Sequence, residues 1–290
     1  MESSAGAYAL LPVTSPHPAE SQPDRATEVA AARIEASAGA TTADVVHEVD
    51  DFDLEAFTAV AARFGQDRYG SVVTPNVDHL IRYHEDPVFR AYYRSADFVL
   101  MDSRFAARLV LLLKGVSLPV CTGSDLTLAL LSKTAAPNDR IVLIGGSREH
   151  AEQIAAKYGL QNMRHHNPPM GFIRNPAAVE ECLKFIESCS PFKYCFLAVG
   201  CPQQEAVAER LRARGVARGL ALCIGASLNF ITGTEKRAPL WMQRLALEWL
   251  YRLLQNPRRM ASRYLVRGPR IFLHLRRARV VLRKAATPAV

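Results

Sequence analysis

From about residue 50 onward, apolar positions follow two alternating rhythms. Short unbroken runs have the length and composition of buried strands: SVVTP at 71–75, DFVLM at 97–101, RIVLIGG at 140–146, KYCFLAVG at 193–200 and LALCIGAS at 220–227. Between them, apolar residues recur every three or four positions, which predicts helices over 53–64, 77–96 with a break at Pro87, 104–113, 149–158, 175–188 and 203–214. Continuous apolar strands alternating with helices predict βαβ units: a parallel-sheet, Rossmann-like α/β core with helices on both faces. Ligands of such sheets bind beyond the carboxyl ends of the strands.

The rhythm changes after residue 235, where no strand pattern continues. On a helical wheel, 240–254 place Arg244, Glu248 and Arg252 on one polar stripe, so that Glu248 can pair with either arginine. Trp241, Leu245, Trp249, Leu250, Leu253 and Leu254 fill an apolar arc wider than the roughly 100° that one packing face needs. Pro257 ends this helix and Gly268-Pro269 breaks the next. Residues 270–284 then set Ile271, Leu275, Ala278 and Leu282 on one stripe among arginines. Residues 1–48, rich in Ala, Ser, Thr and Pro, bury too little to offset chain entropy and are expected to be disordered, apart from a transient helix within 27–37. Three regions result: a disordered segment at 1–48, an α/β catalytic core at 49–235 and a basic amphipathic helical appendage at 236–290.

Charge sharpens this division. Residues 236–290 hold 14 Lys or Arg and one acid, a net +13, whereas the remaining chain holds 22 basic and 27 acidic residues, a net −5. A basic, Trp-bearing amphipathic appendage on an acidic body suits an anionic membrane surface, with a solvated domain-closing face as the plain alternative. Nucleic acid is disfavoured, because the aromatics lie in a helical arc and not on a sheet platform where bases stack. No apolar run reaches the roughly 18–20 residues that span a bilayer. The N-terminus lacks a basic n-region, so no signal peptide is expected. The six cysteines form no CxxC pair and read as buried cytosolic thiols.

Candidate chemistry gathers at the predicted strand ends. Thr74 and Asn76 can hold sugar or phosphate oxygens or cap a helix. Asp102 can act as a general base or as an N-cap. Gly145, in IGGS ahead of a helix, can present amides to an anion. Gly200 and Gln204, in VGCPQQE, and Gly225 and Asn229, in IGASLN, complete the rim. Arg237 and the cluster Arg258, Arg259 and Arg263 are candidates for phosphate contact. Neither GxGxxG nor a P-loop is present, so neither a nicotinamide cofactor nor ATP is expected. Asp51-Phe52-Asp53 mimics a metal-binding DxD but precedes the first strand and reads as a helix cap. His165-His166 lacks acidic partners at ligand spacing and reads as a loop or substrate contact. No metal and no cofactor are expected.

Taken together, TPNVDHL at 74–80, Asp102 with the helix after it, TGSDL at 122–126, VLIGG at 142–146, VGCPQQE at 199–205, IGASLNFITG at 224–233, KRAP at 236–239 and EWLYRLLQNPRR at 248–259 resemble the WecG/TagA/CpsF glycosyltransferases from about residue 45 to about 270. The resemblance implies inverting, metal-independent transfer of a sugar from a UDP-sugar to an undecaprenyl-diphosphate-linked sugar, at the cytoplasmic face of the membrane. It implies Asp102 as general base, Thr74 and Asn76 as the active-site T-x-N, and Gln204 as the motif glutamine. Asn229 falls where many members carry Asp near the nucleotide, and the appendage arginines bind the acceptor diphosphate. The chain departs from the pattern at Ser103, where many members have Gly, and at Val120 or Cys121, where the family has an arginine. HHNPPMGFI and the long tail resemble the exopolysaccharide branch. The alternative from another class is a non-catalytic module that binds nucleotide sugars and docks to membrane or nucleic acid through its tail. A homo-oligomer is left open.

Overall fold

In the computed structural model, residues 45–284 are described. The expected disorder of 1–48 therefore falls mostly outside the described residues, as does the helix expected within 27–37. Its last residues are ordered: β1 runs from Val46 to Asp50. Then follow α1 (Leu54–Ala62), β2 (Tyr69–Val73), α2 (Val77–Glu85), α3 (Pro87–Ser95), β3 (Phe98–Val99) and α4 (Arg104–Lys114). Next come α5 (Gly123–Ala129), β4 (Ile141–Ile144), α6 (Arg148–Tyr158), β5 (Met163–His166), α7 (Pro176–Ser188), β6 (Tyr194–Leu197), α8 (Gln203–Arg214), β7 (Gly219–Cys223) and α9 (Ser227–Ile231). The appendage adds α10 (Leu240–Arg244), α11 (Glu248–Gln255), α12 (Pro257–Ala261), a wider turn over Ser262–Arg267, α13 (Arg270–Arg277) and β8 (Arg279–Arg283).

Six strands form one parallel sheet in the order β3-β2-β7-β6-β4-β5. The chain first moves outward from β2 to β3, then outward on the other side from β4 to β5, and β6 and β7 fill the gap. This reversal leaves a crevice at the carboxyl ends of β2 and β7. The central strands IVLI, YCFL and GLALC are buried at every residue, as helices on both faces require. The expected helix over 77–96 is two helices: Asp86 stops α2, accepts amides from Val88 and Phe89 as N-cap of α3, and Pro87 occupies the first turn. All six cysteines are free, and all but Cys201 are buried.

The structure corrects two sequence expectations about the ends of the fold. The appendage is not wholly helical: its last strand, β8, pairs in parallel with β1 in a separate two-stranded sheet. Arg283 seals this pairing by donating to both oxygens of Asp50, at 2.9 and 2.8 Å, while Asp50 also accepts the Val99 amide at 2.7 Å. The wheel drawn over 240–254 is also interrupted, because Ala246 takes a φ of 60° between α10 and α11. His165-His166 lies in edge strand β5 and not in a loop; His165 Nε2 meets the Gly145 carbonyl oxygen at 3.1 Å and His166 stacks on Phe185.

Candidate active site

The rim side chains are fixed chiefly by backbone groups. Thr74, just past β2, is buried and donates its Oγ1 hydroxyl to the Cys223 carbonyl at 3.1 Å, tying β2 to β7. Asn76 caps α2, its Oδ1 accepting the amides of Asp78 at 3.1 Å and His79 at 3.4 Å. The capping role expected as its alternative is thus real, and the same residue faces the cavities described below. Asp102 is different. Ser103, not Asp102, caps α4 by accepting the Ala106 amide at 3.1 Å. Asp102 is therefore released from capping α4 and instead accepts the Gly123 amide on Oδ1 at 2.7 Å. Burial pushes its carboxyl up to about 6, against the opposing pull of the Gly123 hydrogen bond and the Arg252 charge. A carboxylate with this affinity titrates close to neutral pH, as a general base must.

A polar cavity of about 590 Å³ opens over this rim. Thr74, Asn76, Asp102, Gly200, Gln204 and Gly225 line its floor. Its roof is appendage: Arg252, Arg263, Arg267 and Arg270, with Arg82 from α2 at the side. Gln204 is buried and spans two partners, accepting the Gly225 amide at 2.9 Å and donating to Glu205 at 2.9 Å. Burial pushes the Glu205 carboxyl up to about 7, although the hydrogen bond from Gln204 opposes this.

Of the other predicted residues, Arg263 joins the cavity and the rest do not. Gly145 lines neither of the two cavities at Asp102: its φ of 95° and the Ala198 carbonyl oxygen, 2.8 Å from where a Cβ would stand, show a close backbone approach. Its amide is spent on the His166 carbonyl at 2.9 Å. Asn229 is turned away and donates to Glu235 at 3.2 Å. Arg237 supports the rim from behind, donating to Asp125 at 2.6 Å and to Ser124 at 3.2 Å. Burial raises the Asp125 carboxyl, but the Arg237 and Thr122 hydrogen bonds prevail and hold it below its ordinary value. Arg263 faces the cavity and forms an ion pair with Asp78. Arg258 is exposed on α12 and lines neither cavity, and the side chain of Arg259 lies outside the described ones.

Sequence reasoning missed Arg82, Arg252, Arg267 and Arg270. The wheel put Arg252 on a solvated face with Glu248. In the structure Glu248 instead receives Arg104 at 2.6 Å, and Arg252 lays its guanidinium over Phe230 at 5.2 Å. The charge asymmetry was the signal for the three in the appendage, but it could not say which arginines there turn inward, and nothing in it pointed to Arg82.

For metals, Asp53 is the N-cap of α1, accepting the Ala56 amide at 2.8 Å, as expected of the DxD mimic. Unforeseen is a grouping of His79, Cys201 and Glu205, whose ligand atoms lie within 4.8 Å of one another. Its His79 ring is already held, Nδ1 meeting the Tyr93 hydroxyl at 2.9 Å.

A half-buried carboxyl raised to about 6 under an arginine-lined cavity, at the switch point of a parallel sheet, is the plan of an α/β transferase. The chain belongs to the WecG/TagA/CpsF family of glycosyl transferases, whose model matches residues 44–285. The match spans the whole described fold, appendage and β8 included, and so reaches beyond the resemblance expected to end near 270.

Proposed function

We propose that the protein moves a sugar from a UDP-sugar to a polyprenyl-diphosphate-linked sugar, with inversion and without a metal, in cell-surface or exopolysaccharide synthesis. The observation that carries this reading is Asp102, half-buried, its carboxyl raised by desolvation to about 6, facing a cavity roofed by arginines. In the reaction the acceptor hydroxyl oxygen attacks the anomeric carbon from the face opposite the UDP. Asp102 takes the hydroxyl proton. The bond from the anomeric carbon to the UDP oxygen breaks, and UDP leaves with the electron pair. That leaving group gains charge as the bond breaks, and Arg252, Arg267 and Arg270 are placed to receive it. Thr74 and Gln204, each tied to the backbone, keep a fixed set of polar groups beneath the sugar.

Partner and location follow from the same reading. The basic appendage meets an anionic membrane surface from the cytoplasmic side, where the lipid-linked acceptor is held. Among the described residues no helix is long and apolar enough to cross a membrane. The test is UDP release from a panel of UDP-sugars with a lipid-diphosphate-linked sugar acceptor. Wild-type protein should release UDP with one donor, and Asp102→Asn should lose about 10²–10⁴-fold in turnover while remaining folded. Near-normal turnover by Asp102→Asn would remove Asp102 as the base. Absence of release with every donor would favour a binding module.

A further inference from the structure

A second cavity also reaches Asp102. It measures about 260 Å³ and shares Asn76, Asp78, Asp102, Arg252 and Arg263 with the polar one. From that junction it runs between α4 and the appendage, and its character changes. Phe105, Trp249, Tyr264, Pro269 and Phe272 wall it, with Arg104 and Glu248 beside them neutralised as an ion pair. The rings meet edge to face, Phe105 to Trp249 with centroids 6.4 Å apart and Trp249 to Tyr264 with centroids 6.0 Å apart. Phe272 is 48% exposed, so this wall reaches the surface, and Leu265, Val266 and Leu273 stand exposed in the same segments.

Of a nucleotide sugar only the uracil face can set itself against these rings; the rest is hydroxyl and phosphate. The polar cavity beside it, with its floor of hydroxyl, amide and carboxylate groups, suits that ligand. We propose that the aromatic cavity is the subsite for the first isoprenoid units of the lipid-linked acceptor. Its diphosphate lies against Arg263, where the two cavities meet, with Arg252 beside it turned to the departing UDP. The assignment rests on the transferase reading given above. Two features single out this occupant. The cations stand at the inner end of the apolar wall, matching a ligand with an anionic head and a hydrocarbon tail. The same junction holds Asp102, so the head would place a sugar hydroxyl beside the base while the tail leaves toward the exposed leucines.

The subsite can be tested without turnover. Farnesyl diphosphate and inorganic pyrophosphate are titrated into the full chain by calorimetry. Farnesyl diphosphate should bind about tenfold or more tightly, because only it buries hydrocarbon against the rings. Phe272→Glu should erase that preference while leaving pyrophosphate binding nearly unchanged. Leu254→Glu, at a 70% exposed leucine outside the cavity, should keep the preference. Equal binding of the two probes by wild type, or a preference that survives in Phe272→Glu, would overturn the proposal. So would farnesyl binding that appears only after residues 1–44 are removed, which would assign the cavity to that segment. If the farnesyl preference holds but no sugar transfer is seen, the transferase reading fails and the subsite stands.

Discussion

At the sheet rim, Thr74 and Gln204 are buried and Asp102 is half-buried, and each is hydrogen-bonded to a backbone group: the Cys223 carbonyl, the Gly225 amide and the Gly123 amide. In the appendage, most arginines with a defined partner reach across to core carboxylates: Arg237 to Asp125, Arg263 to Asp78, Arg270 to Glu85 and Arg283 to Asp50. One region is organised by the strands that carry it, the other by charges on a different part of the chain. Backbone anchors cannot be exchanged for a ligand without deforming the sheet. Ion pairs between side chains can be, because a diphosphate competes directly for the guanidinium. The rim thus supplies fixed geometry, and the appendage supplies cations that a substrate can recruit.

The largest expected break in this contrast is at Arg252, which roofs the cavity and leans on Phe230. Arg252→Ala should lower turnover about 10²-fold, with the loss in kcat, if this cation stabilises the departing UDP. Steady-state kinetics on both substrates check this, and a change confined to KM would make Arg252 a binding residue only. Next is the tie that holds the appendage in place. Arg283→Ala leaves the buried Asp50 carboxylate without its bidentate partner and should cost about 2–3 kcal/mol in denaturant unfolding. A loss within error would show that β8 is not needed to seat the appendage.

How much of this was legible in the sequence follows the same division. Strand ends such as VVTPN and VLMDS announced the rim, because an apolar run that stops at a polar residue is a local signal. Asp102 was identified from that signal, and Ser103 was not recognised as the residue that frees it. Gly145 looked like an anion site because its IGGS context precedes a helix; the Ala198 carbonyl that requires a glycine there stands at the end of β6, beside β4 in the sheet but far along the chain. The appendage was read as helices with no strand among them because amphipathic periodicity says nothing about a strand partner more than 200 residues away. Which arginines turn inward depended on where core carboxylates stand, a tertiary fact.

Two smaller effects separate the regions by pH. Where the appendage meets β1 and α2, His47 and His84 touch through their Nε2 atoms at 2.8 Å, and His274 of α13 stacks on His84. Burial and neighbouring cations push His47 down to about 3 and His84 down to about 4. The unfolded chain binds protons near the ordinary value of 6.5 and the folded chain resists, so this stability is present above that value and is lost as pH falls toward 4. Thermal unfolding should show the melting temperature dropping over this window, and His84→Asn should shrink the drop. Asp102 has the opposite sign. Its folded carboxyl sits above the unfolded value of 3.8, so stability falls as pH rises from there to about 6 and stays lower beyond it. Asp102→Asn should therefore melt slightly higher than wild type at about pH 8, with no such gain below about pH 4. A lower melting temperature at both would show that the carboxylate is there for stability.

The base assignment meets its most direct test in the pH dependence of kcat/KM for wild-type protein with its UDP-sugar and lipid-linked acceptor. Asp102 acting as base predicts a single acidic limb with its midpoint at about 6, falling tenfold per pH unit below it. A profile that stays flat from about pH 5 to 8, in protein shown to remain folded over that range, would contradict it.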